Sequence, residues 1–274
     1  MLSGGRAVRH RPCSRARGGG ILCLAEFPPT LRRGKDGAIP EGNKLRPIVR
    51  ELVHGARRIR GRSELRAGRI ASLTPLSAHF GLDRGTPIDR YYIEKFLLDQ
   101  SGDIRGVALE IVDSTYSKRF GGDQVTTQHV ADINDDNPSA TIVGDISDPK
   151  ILPDQAFDCI VLTQTLHLIY DLKGVVRQLR RALKPGGVLL VTAPGITPAR
   201  PAKDYRWYWS LTPDSLQRLL AEAFDPANVQ IHSYGNLFAA TAFLHGAALE
   251  EIDTGRLDPV DPAFPVIVAG RAVA

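Results

Sequence analysis

The stretch Phe157–Gly195, FDCIVLTQTLHLIYDLKGVVRQLRRALKPGGVLLVTAPG, reads as strand, loop, helix, turn and strand without a gap. Cys159–Leu162 is a continuous apolar run, as expected of a parallel strand buried on both faces. Leu172, Val175, Val176, Leu179 and Leu183 then recur at helical spacing, with Arg177, Arg180, Arg181 and Lys184 on the remaining surface. Pro185-Gly186-Gly187 is expected to stop that helix, and Val188–Thr192 is a second apolar run ending at Pro194-Gly195. A strand–helix–strand of this length is a right-handed crossover, the unit of an open parallel sheet. Ligands of such sheets sit outside the carboxyl ends of the strands. Here those ends carry Thr163-Gln164-Thr165-Leu166-His167 and Ala193-Pro194-Gly195.

Outward from this unit the chain has the same texture on both sides. Phe80–Gln100 combines a turn at Asp83-Arg84-Gly85 with a helix from about Pro87, whose apolar face is Ile88, Tyr91, Tyr92, Phe96 and Leu97. Gly106–Val112 is a strand ending in Glu110, Val125–Ala131 a strand ending at Asp132, and Ala140–Val143 a short strand closing on Gly144-Asp145. Between the first two, Ser114–Phe120 has room for about two helical turns before Gly121-Gly122. After Gly195 a long loop carries Tyr205-Arg206-Trp207-Tyr208-Trp209, and Thr212 is placed to cap a helix over Pro213–Phe224. A strand over Val229–Tyr234, a helix over Leu237–Leu249 and a terminal strand over Pro265–Val273 complete the order.

The 274 residues carry a net charge of +5, but unevenly. Residues 1–70 hold 17 of the 35 Lys and Arg against five of the 30 Asp and Glu, so the remainder is acidic, with 18 basic and 25 acidic residues. Residues 1–68 therefore read as a basic N-terminal extension without sustained periodicity, and residues 69–274 as the folded domain. An acidic domain makes nucleic acid an improbable partner. An RNA-directed enzyme using the basic segment is the third-ranked reading, behind the two given below. Cys13, Cys23 and Cys159 form no disulfide framework, and with no apolar run of membrane-spanning length the expected location is the cytoplasm. The seven histidines are dispersed, with no pair at metal-ligand spacing, so no metal site is expected. The motifs of a serine hydrolase elbow, a Walker loop and a nicotinamide fingerprint are all missing.

In this order, the acidic strand ends Glu110, Asp132 and Asp145, the pair Phe157-Asp158, His167 and Leu183-Lys184-Pro185-Gly186-Gly187 resemble the class I S-adenosylmethionine-dependent methyltransferases, in particular their small-molecule type 11 branch. The resemblance covers about Phe80–Val273. It implies a Rossmann-like α/β fold: an open sheet of seven strands in the order 3-2-1-4-5-7-6, the last strand antiparallel, with helices on both faces. It also implies S-adenosylmethionine as cofactor. Asp132, 22 residues after Glu110, then matches the ribose position, Asp145 and the Ile146 N–H the adenine position, and Glu110 the methionine end. Val112, Thr163 and Gln164 complete the expected cofactor contacts.

One departure stands out. The family carries glycines directly after the first strand so that backbone can approach the cofactor. Here Glu110-Ile111-Val112-Asp113-Ser114-Thr115-Tyr116 has none before Gly121, and Val112 occupies the first glycine position. The expected function is methyl transfer to a small-molecule acceptor, a hydroxyl of a natural product or glycan precursor, with His167 as the base near pKa 7. Tyr170 and Tyr116 are second-line candidates, and the Tyr205–Trp209 cluster could wall the substrate. The alternative is a non-catalytic, methyltransferase-like binding or scaffold protein, which the missing glycines motivate.

Overall fold

The computed structural model describes residues 72–199 and 206–274. The extension expected over residues 1–68, and Tyr205, lie outside the described residues. The chain opens with helix α1 (Ile88–Asp99) and strand β1 (Gly106–Ile111), followed by a single π-helical turn over Ser117–Gly121 and strand β2 (Val125–Asp132). Strands β3 (Ile142–Val143) and β4 (Phe157–Thr163), helix α2 (Leu172–Ala182) and strand β5 (Leu183–Pro194) come next. Helix α3 (Pro213–Leu220), strand β6 (Val229–Tyr234), helix α4 (Leu237–Leu244) and strand β7 (Ile267–Val273) complete it. The seven strands form one sheet in the order β3-β2-β1-β4-β5-β7-β6, the order that the resemblance implies. Strands β1 to β5 pair in parallel, and β7 runs antiparallel between β5 and β6.

Because side chains alternate along a strand, each buried strand feeds two cores. Ile160 and Leu162 of β4 pack with Val175, Val176 and Leu179 of α2 and Leu216, Leu219 and Leu220 of α3 on one face. Cys159 and Val161 pack with Ile88, Tyr92, Ile93, Phe96 and Leu97 of α1 and with Ala239, Ala240 and Phe243 of α4 on the other. The pair Phe157-Asp158 has a structural role at the foot of the sheet. Asp158 Oδ2 accepts from the Val107 N–H at 2.7 Å and from Lys184 Nζ at 2.7 Å, tying the starts of β1, β4 and β5 together.

Leu183 and Lys184, expected on the helix, and the expected turn Pro185–Gly187 form the first part of β5. Leu183 pairs with Phe157, the register then shifts, and pairing resumes at Cys159–Val188. The interruption suits a Pro, which has no N–H to donate, beside Gly186 at φ +77. Helix α2 therefore ends at Ala182. Its start is set by Asp171, whose carboxylate accepts from the Gly174 N–H at 2.8 Å. Asp171→Ala is expected to lower stability by about 1 kcal/mol, the usual worth of an N-cap, measured by chemical denaturation. Thr212 caps α3 as expected, through a reciprocal pair of bonds with Ser215. Helices α3 and α4 end earlier than expected, at Leu220 and Leu244. No helix among the described residues is long and apolar enough to cross a membrane.

Candidate active site

The carboxyl ends of β1, β2, β3 and β4 bring most of the candidate residues to one edge of the sheet. Asp132, at the end of β2, is 6% exposed. Its Oδ1 accepts from the Asn134 N–H at 2.9 Å, and its Oδ2 from Asn137 Nδ2 at 2.6 Å. Asp145, after β3, accepts from Ser147 N–H and Oγ at 2.9 and 2.7 Å, both through Oδ1. Asp132, Asp145 and Ile146 line a shallow, open cleft, whose apolar walls include Ile111 and Ile169. Thr165, on the strand end read from the sequence as ligand-facing, also lines it. Gly144 is needed here, because it sits at φ +143 and a Cβ would meet Ile151 Cδ1 at 2.4 Å.

The loop after β1 is built around Glu110. Its carboxylate is 2% exposed and accepts from the Tyr116 N–H, the Ser117 N–H and Ser117 Oγ at 3.1, 2.8 and 2.6 Å. Burial pushes the Glu110 carboxyl up to about 7, against the hydrogen bonds from Ser117 and Tyr116. Between this anchor and the cleft lies Val112, at φ +71. Its N–H donates to Ala131 O at 2.9 Å and its carbonyl accepts from Asn137 Nδ2 at 2.7 Å. The turn that a glycine would make is thus present, held from both sides, with a β-branched residue in it. Such a backbone costs about 1–3 kcal/mol and persists only where its surroundings over-determine it.

The loop after β4 carries His167 on one 3-10 turn, Leu166–Leu168. The ring is 1% exposed and lies 4.1 Å from the Trp207 ring, centroid to centroid. Trp207 stacks on Phe80, which stacks on Phe243 of α4, each pair at 6.1 Å. Both the Tyr208 and Trp209 N–H groups donate to His167 O, at 2.9 and 3.3 Å, and Trp209 Nε1 donates to Ile169 O at 3.0 Å. The aromatic cluster is therefore split. Trp207 faces inward onto His167, while Tyr208 packs outside with Tyr170, which is 70% exposed. Trp209 stacks on Tyr170 as well. The expected pKa near 7 for His167 does not hold, because burial pushes it down to about 3.

Among the described residues, nine buried side-chain nitrogen and oxygen atoms have no hydrogen-bond partner in the protein, and six belong to this end of the sheet. They are Gln164 Nε2, both ring nitrogens of His167, Thr192 Oγ1, Thr197 Oγ1 and Trp207 Nε1. Buried polar atoms are normally satisfied, so a concentration of unsatisfied ones marks a place prepared for polar groups from outside. Gln164 is also strained, at φ +48. Thr192, opposite Thr163 in the sheet, and Thr197 were not legible as site residues in the sequence. The structure brings Asp132, Asp145 and Ile146 into one cleft, whereas Glu110, Val112, Thr163, Gln164 and His167 lie outside its lining. Among the described residues, no group of three or more His, Cys, Asp or Glu could hold a metal ion.

Residues 106–191, from the start of β1 to within β5, match the family described as "Methyltransferase domain". That segment is similar to a methyltransferase domain, and the observed strand order agrees with the resemblance read in the sequence. No curated protein matches the chain. Among solved structures it is similar to a SAM dependent methyltransferase from Archaeoglobus fulgidus, at 13% identity and TM-score 0.46, covering 68% of this chain and 94% of that one. It is also similar to an S-adenosylmethionine dependent methyltransferase from Mesorhizobium loti, at 15% identity and TM-score 0.43, covering 71% of this chain and 100% of that one. The cofactor that the resemblance to methyltransferases implies is S-adenosylmethionine. Two carboxylates beside apolar walls suit the adenosine end of that molecule, as ribose hydroxyls want charged acceptors and a base wants apolar faces.

Proposed function

We propose that the methyltransferase domain methylates a hydroxyl of a neutral small molecule, a natural product or glycan precursor, bound beside His167. The cluster of unsatisfied buried polar atoms around His167 and Trp207 carries this reading. Bound S-adenosylmethionine supplies an electrophilic methyl group for in-line displacement by the acceptor oxygen. Asp132 accepts from the ribose hydroxyls, and Asp145 with the Ile146 N–H holds the adenine edge. Gln164 Nε2, Thr192 Oγ1 and Trp207 Nε1 remain to orient the acceptor, which is most of what this reaction asks of a protein.

His167 accepts the hydroxyl proton on a ring nitrogen. A pKa near 3 leaves the imidazole neutral and able to accept a hydrogen bond at every physiological pH. It is a weak base before reaction, but the hydroxyl proton becomes strongly acidic as the new carbon–oxygen bond forms. Transfer to the imidazole is then downhill at that stage, and the proton leaves to water with the product. Trp207, backed by Phe80 and Phe243, covers the ring and excludes water from the step.

The test incubates the purified chain with methyl-labelled S-adenosylmethionine and a panel of neutral polyhydroxylated metabolites. Labelled ether product from at least one, and none from amine or carboxylate acceptors, is the expected result. Label carried only to nitrogen or carboxylate, or to no acceptor, contradicts it. The second reading, a non-catalytic methyltransferase-like binding protein, draws on Val112 in the cofactor loop and predicts cofactor or substrate binding with no turnover.

A further inference from the structure

Resting on the cofactor reading above, we propose that Val112 makes the cleft selective for the adenosine end of its ligand and opposes the amino-acid arm. Three of the four non-glycine residues with positive φ among the described residues, Phe80, Val112 and Gln164, belong to the segments that build this site. At Val112 a glycine would take this φ without a Cβ to strain it. Its peptide N–H is tied to β2 through Ala131 O, and its carbonyl to Asn137, whose same amide nitrogen donates to Asp132. The turn is thereby locked to the ribose carboxylate, so the backbone has no freedom to carry the side chain elsewhere. Glu110, two residues earlier, locks the other side by gripping Tyr116 and Ser117.

The consequence is geometric. A left-handed turn with glycine offers bare backbone to a ligand that crosses the end of the first strand. The same turn with valine sets three extra carbons on that path. The cleft is lined at the end of β1 by Ile111 and beyond it by Thr165 and Ile169, and Val112 is not part of its lining.

Calorimetric titration of the full chain, V112G and V112A with adenosine, S-adenosylhomocysteine and S-adenosylmethionine separates the possibilities. V112G is expected to bind the two arm-bearing ligands at least tenfold tighter than the parent chain, V112A to fall between them, and adenosine to bind all three within about twofold. Circular dichroism confirms folding of each variant, and V112A answers the question if V112G does not fold. Unchanged affinity for the arm-bearing ligands, or an equal gain for adenosine, overturns the role of Val112 while leaving the cofactor reading standing. Absence of binding by any ligand to any of the three proteins overturns both.

Discussion

His167→Phe is expected to leave the chain as stable as its parent at pH 7, more resistant to acid, and slower in methyl transfer by 10²–10⁴-fold. The stability half follows from linkage. A histidine with an ordinary pKa near 6.5 when unfolded and about 3 when folded binds its proton in the unfolded chain first. Its contribution is complete above pH 6.5 and is lost progressively as pH falls toward 3. Between pH 7 and pH 5 the loss is about 2 kcal/mol, and it approaches about 5 kcal/mol below pH 3. Phenylalanine keeps a planar ring against Trp207 and removes the titration. Glu110 works in the opposite sense. Its carboxyl is raised to about 7, so its stabilising effect is present below the ordinary carboxylate range and is lost as pH rises through 7. The comparison must therefore be the difference between variant and parent across urea titrations from pH 7 to pH 4. A parallel fall in both proteins would show that the ring is hydrated and charged in the native state. The catalytic half is read at pH 7, where the fold is equally stable in both. Retention of full kcat/KM would remove His167 from the reaction.

Asp132→Asn is expected to weaken S-adenosylhomocysteine binding by about 10- to 150-fold, corresponding to the ~1.5–3 kcal/mol of hydrogen bonds to a charged acceptor. The substitution also disturbs the loop, since an amide nitrogen would then face Asn137 Nδ2, another donor. Asn137→Ala provides the control. It cuts the ties to Val112 and Asp132 but keeps the carboxylate, so its expected loss is the smaller of the two. Equal losses in the two variants would assign the effect to loop geometry and not to the charge.

The sheet was legible because its signals are local. Apolar runs, acidic strand ends and the helix between Leu172 and Ala182 each occupy fewer than fifteen consecutive residues, and the strand arrangement that their resemblance to a known family implies is the one observed. Pro185–Gly187 misled because its turn chemistry is real, yet pairing of Leu183 with Phe157 recruits the segment from Leu183 onward into the strand. The polar surroundings of His167 were hidden for a different reason. Trp207 packs between His167 and Phe80, residues separated by 87 positions, and no spacing rule spans that distance. The pKa of His167 is a property of that burial and not of the residue type. At Val112 the reverse occurred. The missing glycine was visible in the sequence, but only the structure shows the glycine-type turn kept with valine in it.

The central claim is that the carboxyl ends of β2 and β3 hold the adenosine end of S-adenosylmethionine, with the acceptor placed beside His167. A crystal structure of the full chain grown with S-adenosylhomocysteine tests it most directly. The account predicts the ribose hydroxyls on Asp132, the adenine amino group on Asp145 with a ring nitrogen at the Ile146 N–H, and the sulfur facing the His167 side of the sheet. A ligand bound away from Asp132 and Asp145, or no ligand at saturating concentration, would contradict it.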